Sequence, residues 1–184
     1  SKLGDLYILG KHKLYCGDST SEESFKKILE DKEIDLIVTD PPYNVNVGGK
    51  GDTYTQFDNR KILNDNMASS DFVEFLTNAF TNMEKYLKKG GASYVFHSSS
   101  SLVEFDQALR NVDLKPRQQL IWNKNTFVLG RQDYQWKHEA IYYSFKEGAA
   151  HYFINDRTLS TVIDSAYLDF KAMKKDELVN LLED

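Results

Sequence analysis

The feature that most constrains the fold is a short apolar run that ends in two consecutive prolines. Residues 34–39, Ile-Asp-Leu-Ile-Val-Thr, are followed directly by Asp40, Pro41, Pro42 and Tyr43. Successive Leu, Ile and Val side chains are typical of a strand covered on both faces, as in a parallel sheet. A proline has no N–H and a restricted φ, so the chain cannot continue as a central strand. We therefore expect a stiff loop at the carboxyl end of a strand, where open α/β sheets bind ligands.

The residue types of this loop suit a flat, polar ligand. Asp40 supplies an acceptor, the proline-restricted backbone supplies carbonyls in fixed positions, and Tyr43 supplies a face for stacking. Taken alone, the tetrapeptide is equally compatible with a rigid turn that carries a surface aspartate.

Composition indicates one globular domain over residues 1–184. The chain has 184 residues, of which 41% are hydrophobic and 13% aromatic, and this is enough to bury a core. No apolar run approaches the ~20 residues that cross a bilayer, so we expect no membrane partner. Cys16 is the only cysteine, which excludes an internal disulfide and a multi-cysteine metal site and favours a reducing, cytoplasmic setting. We expect no metal.

The net charge of −5 argues weakly against a protein that binds DNA through general electrostatics, which requires clustered Lys and Arg. An enzyme that reads one extruded base can instead keep its basic residues local. The net charge therefore does not decide whether the chain binds DNA.

Alternating strand and helix patterns predict an α/β fold. The predicted elements are a hairpin of 6–9 and 13–16, helices over 21–29, 70–88, 98–111 and 169–182, and strands at 34–39, 92–97, 118–122 and 139–145. Gly90 and Gly91 are expected to end the second helix. The polar stretch 44–66 lacks periodicity, which is typical of functional loops.

An Asp-Pro-Pro-Tyr sequence after an apolar strand resembles the catalytic motif of S-adenosylmethionine-dependent DNA amino-methyltransferases, chiefly those acting at adenine N6. The resemblance implies a Rossmann-like methyltransferase sheet with helices on both faces. It also implies catalytic roles for Asp40, Pro41, Pro42 and Tyr43. In these enzymes the acid and the first proline's carbonyl bind the target amine, and the aromatic ring stacks on a base flipped from double-stranded DNA.

Two further segments carry the resemblance. The segment 14–19, Leu-Tyr-Cys-Gly-Asp-Ser, resembles the one that precedes the motif in the subgroup whose catalytic half comes first, which implies that Asp18 lies on the cofactor side with Asp40. The alternative is a turn into a capped helix. The segments 120–124 and 129–139 resemble the region that lines the base pocket. Candidate DNA contacts there are Lys124, Arg131, Tyr134 and Lys137.

The histidines are interpreted as structural. His138 and Glu139 are interpreted as an ordinary pair at a strand start rather than a metal site, and His12, His97 and His151 as packing residues.

One departure from the family pattern concerns the cofactor. The glycine-rich loop, an acid-Pro-Phe run followed by Gly-x-Gly, is absent from the sequence, and 48–51 (Gly-Gly-Lys-Gly) does not follow a buried strand. We therefore expect an incomplete sheet, the catalytic portion of a longer enzyme, and weak binding of S-adenosylmethionine by these 184 residues.

The function expected from the resemblance is methyl transfer from S-adenosylmethionine to adenine N6 in double-stranded DNA. Cytosine-N4 transfer uses the same geometry, with Ser more typical where Asp40 stands. A non-catalytic nucleic-acid-binding module that retains the fold is the alternative from another class. Membership of a restriction–modification system and the oligomeric state are left open by the sequence.

Overall fold

The computed structural model describes residues 2–45, 63–130 and 133–165, so Arg131 and the helix predicted over 169–182 lie outside the described residues. Three helices and seven strands follow one another in the described ranges, with a short 3₁₀ turn at Ser99–Ser101. The helices are α1 (Glu22–Leu29), α2 (Ser69–Tyr86) and α3 (Leu102–Asn111). The strands are β1 (Leu6–Leu9), β2 (His12–Tyr15), β3 (Ile34–Thr39), β4 (Leu87–His97), β5 (Gln118–Val128), β6 (Trp136–Phe145) and β7 (Val162–Asp164).

Five strands form one mixed sheet in the order β3-β4-β6-β5-β7, while β1 and β2 form a separate antiparallel hairpin. In the sheet, β3 pairs parallel with β4, and β5 pairs parallel with β7. Strand β6 is antiparallel to both β4 and β5. The carboxyl ends of the parallel strands and the start of β6 therefore lie together at one end of the sheet. This end, across the strand termini, is its carboxyl edge. This arrangement confirms the predicted α/β class.

The core lies between this sheet and helices α2 and α3. The apolar face predicted for α2 is buried, with Phe72, Leu76 and Phe80 fully inaccessible. From α3, Phe105 meets four rings, with centroids 5.8 Å from Phe72, 5.9 Å from His97 and 6.4 Å from both Phe80 and Tyr43. The core packing therefore extends up to the proline motif.

The end of α2 differs from the prediction. The helix stops at Tyr86, and Gly90 and Gly91 lie inside β4 instead of ending the helix. Gly90 has φ of +81°, and a Cβ on Gly91 would lie 3.0 Å from the carbonyl oxygen of Asp35. Gly91 thus allows a close backbone approach to β3, and Gly90 allows one to Ala150, whose carbonyl oxygen would clash with an added Cβ. These tertiary requirements resemble a helix stop in the sequence.

Strands β5 and β6 are longer than predicted. The sequence predicts no strand between residues 122 and 139, yet the pairing continues through Asn123 opposite His138 and Val128 opposite Trp136, with an irregularity between them. Charged and aromatic side chains conceal this extension in the sequence, because strand patterns are recognised by apolar alternation.

Strand β3 is more exposed than its apolar sequence predicts. Ile37 is buried, but Leu36 is 53% and Val38 63% exposed. The expectation of a strand covered on both faces is therefore wrong for the described residues, because only the face of β3 that carries Ile37 packs on the helices.

Neither a membrane-spanning helix nor a metal-binding cluster occurs among the described residues. None of their helices has the length and apolar character that a bilayer crossing requires. Within the same ranges, no group of three or more His, Cys, Asp and Glu side chains is placed to hold a metal ion.

Candidate active site

The proline motif begins immediately beyond the last residue of β3, at the carboxyl edge of the sheet. The Tyr43 hydroxyl donates a hydrogen bond of 2.6 Å to Oδ1 of Asp40. The Ser101 hydroxyl, at the start of α3, donates to the carbonyl oxygen of Tyr43 over 2.9 Å. Asp40 is exposed, while both prolines and Tyr43 are half-buried. The carboxylate is thus accessible to a ligand but anchored at one oxygen.

Tyr43 is held as a neutral phenol. Burial, the hydrogen bond to Asp40 and the negative charges of Asp40 and Glu139 raise the pKa of Tyr43 above its ordinary value. Its ring also meets Phe105 edge-on, at an interplanar angle of 73°. Because the hydroxyl donates to Oδ1, the second oxygen of Asp40 remains as an acceptor.

Two hydrogen bonds between Asn44 and Met67 form the Asn44–Met67 clasp, which fixes the C-terminal end of the motif. Asn44 Nδ2 donates to the carbonyl oxygen of Met67 over 3.0 Å, and the Met67 N–H donates to Asn44 Oδ1 over 2.6 Å. The Val45 N–H also donates to Asp65, whose side chain is buried. Asn44 has φ of +59°, a conformation that Asn tolerates better than most residues. The loop is therefore fixed at both ends.

A cavity of about 230 Å³ opens beside the motif at the strand ends. Its walls come from the motif, the end of β4, and the neighbouring parts of β5 and β6. The lining residues are Tyr43, His97, Ser98, Ser99, Lys124, Trp136, His138, Glu139 and Ala140. At ~30 Å³ per water molecule, the cavity exceeds a small hydration site and is below the usual size for drug-like ligands. It suits one planar heterocycle.

His97 contributes a buried imidazole to this cavity. The side chain is 1% exposed, and its ring stacks on Tyr142 with centroids 4.1 Å apart. Nδ1 lies 3.3 Å from the carbonyl oxygen of Ser98, which can only accept, so Nδ1 carries the hydrogen. Burial lowers the pKa of His97. Nε2 is thus an acceptor, and it has no partner among the described residues.

Lys124 and Glu139 form an ion pair in the cavity wall, with Nζ in contact with Oε1. Their side chains are only 25% and 26% exposed. The Lys124 ammonium also lies 5.6 Å from the centroid of the Trp122 ring. The pair places opposite charges within a small, partly desolvated space.

The structure brings together some of the predicted site residues but not all. Tyr43 and Lys124 line the same cavity, and Asp40 is bonded to Tyr43. Asp18 lies in the turn before α1, where its Oδ1 accepts from the backbone N–H and hydroxyl of Thr20. No described hydrogen bond or ion pair joins Asp18 to Asp40. Tyr134 is 90% exposed and Lys137 is exposed on β6.

Sequence reasoning did not single out Asn44 or Trp136, and it interpreted His97 and Glu139 as structural, although Trp136 and Glu139 lie in the segment 129–139 that was expected to line the base pocket. The position of Asn44 directly after the motif was an available signal for the clasp. For the others the signal is weak, because a single His at a strand end and a Glu at a strand start are common on structural grounds. Their shared cavity depends on the order of the strands.

Comparison with known proteins connects this geometry to a family. The sequence model of the N6/N4 family, described as DNA methylase, matches residues 34–177. The type II methyltransferase M.BglII of Bacillus subtilis is 22% identical over 153 residues, which is 78% of this chain and 38% of that protein. The chain thus spans well under half the length of that relative.

Two solved structures share the fold. A PvuII DNA methyltransferase described as cytosine-N4-specific superposes with a TM-score of 0.59 at 13% identity, covering 89% of this chain and 60% of its own. M1.HpyAVI gives a TM-score of 0.51 at 14% identity, covering 80% and 62% respectively. At these identities the similarity shows a common fold.

Proposed function

This chain belongs to the N6/N4 DNA methylase family, and we propose that it is the part of a DNA methyltransferase that holds the target base and activates its amine. The reaction is transfer of a methyl group from S-adenosylmethionine to N6 of an adenine flipped out of double-stranded DNA. One observation carries the proposal. Tyr43 anchors the Asp40 carboxylate through a hydrogen bond, and the same Tyr43 lines a cavity that suits one planar heterocycle.

The chemical task is to make a poor nucleophile react. An exocyclic amine delocalises its lone pair into the ring. The free oxygen of Asp40 and the carbonyl of Pro41 are proposed to accept its two N–H groups, which favours a tetrahedral nitrogen and stabilises the charge that develops there. One amine proton then leaves through Asp40, whose exposure gives it access to solvent.

Tyr43 and Pro42 position the base in this proposal. Tyr43 donates to Asp40 and so orients the carboxylate, while its ring offers a face to the flipped base. Pro42 restricts the backbone between them. Because the pKa of Tyr43 is raised above its ordinary value of 10.0, its hydroxyl remains a donor at neutral pH.

The residues fit the methyl donor in part. When bound, S-adenosylmethionine supplies a methyl group on a positively charged sulfur. Asp40 provides a negative charge near the expected site of transfer, and Asp18 retains an oxygen that can accept from a hydroxyl or ammonium group. The family's glycine-rich loop is absent from the sequence, so Asp18 and Asp40 are the donor-side residues that we propose.

The DNA side of the proposal rests on exposed aromatic and basic residues near the cavity. Tyr134 and Trp136 are exposed, and Lys137 lies next to Trp136 on β6. Aromatic faces stack on bases, and lysines neutralise phosphates. Arg131 is retained as a candidate contact from the sequence alone, because it lies outside the described residues.

Cytosine N4 is the second candidate target. One structure with the same fold is described as cytosine-N4-specific, and the amine of cytosine presents the same two N–H groups. An aspartate at the first motif position favours adenine, so adenine is proposed first.

The test uses the full-length protein and hydrolysed product DNA. Mass spectrometry of the nucleosides should find N6-methyladenine. Asp40→Ala should lower the rate of transfer by about 100-fold or more while DNA binding is retained. The matched control is Asp35→Asn, on the same strand, where Asp35 pairs with Lys88 at the surface and transfer should continue.

Each contrary result has a distinct meaning. N4-methylcytosine in the product would replace adenine by cytosine as the target. An active Asp40→Ala variant would refute the proposed site. A wild-type protein that binds DNA but methylates neither base would favour the non-catalytic binding module.

A further inference from the structure

The Lys124–Glu139 pair lies in the cavity wall and is as little exposed as the Lys146–Glu84 pair elsewhere among the described residues. Trp122 lies opposite Glu139 across β5 and β6, so Lys124 reaches Glu139 diagonally on the same side of the sheet. Both side chains are about three-quarters buried. Removing two charges from water has a desolvation cost, and the attraction between the charges roughly offsets it. The pair is therefore expected to add little to the stability of the fold. Its position in the cavity wall beside Tyr43 makes the pair a candidate for ligand binding.

The ammonium of Lys124 retains donors for a ligand. It has three N–H groups, and the described hydrogen bonds use one of them, to Glu139. Glu139 also lies close enough to Tyr43 for its charge to contribute to the raised pKa of that residue. The donor is thus held in the same cavity as the residue that anchors Asp40.

His97 lines the same cavity, but its free acceptor is not open to an occupant. The side chain is 1% exposed, and Nε2 is buried in the cavity wall without a partner among the described residues. Lys124 is therefore the charged donor that this cavity presents to a ligand.

We propose that Lys124, held by Glu139, donates to the ring nitrogen next to the target amine and so distinguishes the flipped base. This inference rests on the proposed function. Adenine and cytosine both have an unprotonated ring nitrogen beside the exocyclic amine. Guanine and thymine have an N–H on the corresponding edge, which would face the ammonium donor to donor and be rejected. Lys124 then contacts a base, while Lys137 on the exposed rim contacts phosphate.

A lysine that contacts the base and a lysine that contacts a phosphate affect DNA binding differently. Methylated positions in product DNA first identify the recognition site. Duplexes with either the target base or an abasic residue at that position are then titrated with full-length protein over a range of salt concentrations. Lys124→Met should weaken binding to the target-base duplex by about 10- to 100-fold, with no change on the abasic duplex and no change in the salt dependence.

Lys137→Met is the matched comparison on the neighbouring strand. It should weaken binding to both duplexes equally and reduce the slope of log K against log salt by about 0.9, as for one lost phosphate contact. Lys124→Gln, which keeps a neutral donor, should recover part of the affinity for the target base. This variant also provides the test if Lys124→Met does not fold.

The inference is overturned if Lys124→Met weakens both duplexes equally or reduces the salt slope. It is also overturned if Lys124→Gln and Lys124→Met leave binding to the target-base duplex unchanged. Because wild-type methylation is measured first, a protein that methylates DNA but gives these results refutes the role of Lys124 alone. A protein that methylates no base refutes the proposed function, and this inference with it.

Discussion

At the scale of single residues, burial and hydrogen bonding decide which groups of the candidate site are donors and which are acceptors. Tyr43 is kept protonated by burial and by Asp40, so it can orient the carboxylate. His97 is kept neutral by burial, with its hydrogen on Nδ1 facing the Ser98 carbonyl. The residue types were visible in the sequence. Their protonation states required the contacts.

The neutral state of His97 makes stability depend on pH. The pKa of His97 in the folded protein lies below its ordinary value of 6.5. The contribution of neutral His97 to the free energy of unfolding is therefore complete above about pH 6.5 and decreases as the pH falls below that value. The free energy of unfolding, measured with urea between pH 7 and pH 5, should therefore decrease. His97→Gln should flatten this dependence.

The control is His12→Gln on the exposed strand β2, which should keep the full pH dependence of the wild type. If His97→Gln shows the same slope as the wild type, His97 does not carry this effect.

At the scale of elements, the proline motif is a loop held between a strand and two anchors. The prolines end β3, as their missing N–H groups predict. Ser101, which directly precedes α3, and the Asn44–Met67 clasp then fix the backbone that follows. The sequence predicted where the strand ends, but the partners of the loop come from residues 23 and 58 positions away along the chain.

The clasp predicts a measurable stability difference at Asn44. Asn44→Gly removes both side-chain bonds to Met67 but accepts the positive φ, and it should lower the free energy of unfolding by about 1–3 kcal/mol. Asn44→Ala removes the same bonds and adds the strain of a left-handed conformation, about 1 kcal/mol more. Urea unfolding of the two variants checks the order. An Ala variant as stable as the Gly variant would contradict the strain at this position.

The clasp variants also bear on catalysis. Because the loop would be less fixed, both should lower the rate of methyl transfer by the full-length protein more than they lower DNA affinity. Equal losses in the two measurements would indicate that Asn44 contacts DNA.

At the scale of the whole molecule, one sheet carries a core on one face and the candidate site at its carboxyl edge. In the described sheet, β3 is an edge strand whose Leu36 and Val38 are exposed. Exposed apolar side chains on an edge strand promote pairing with other chains. The chain also spans 60% and 62% of the two structures with its fold.

This exposed edge predicts concentration-dependent association of the 184-residue protein. Sedimentation velocity at two concentrations should show oligomers, and Val38→Lys should reduce them, because a charge on an edge strand opposes pairing. The matched control is Val103→Lys on α3, where Val103 is 69% exposed and the change should have no effect. A wild-type protein that remains monomeric at both concentrations would contradict the prediction.

What the sequence determined by itself is local. An apolar run, two prolines and the residue types beside them predicted a strand, its end, and a loop that resembles an amino-methyltransferase motif. These inferences depend on backbone restrictions and short-range patterns, which neighbouring residues carry.

The tertiary structure decided the rest. The sequence alone could not place His97 and the Lys124–Glu139 pair around Tyr43, because that depends on β6 lying between β4 and β5. Nor could it distinguish glycines that end a helix from glycines that allow a close backbone approach at β4. A cavity, a protonation state and an exposed edge are properties of residues far apart in the chain, and only folding brings those residues together.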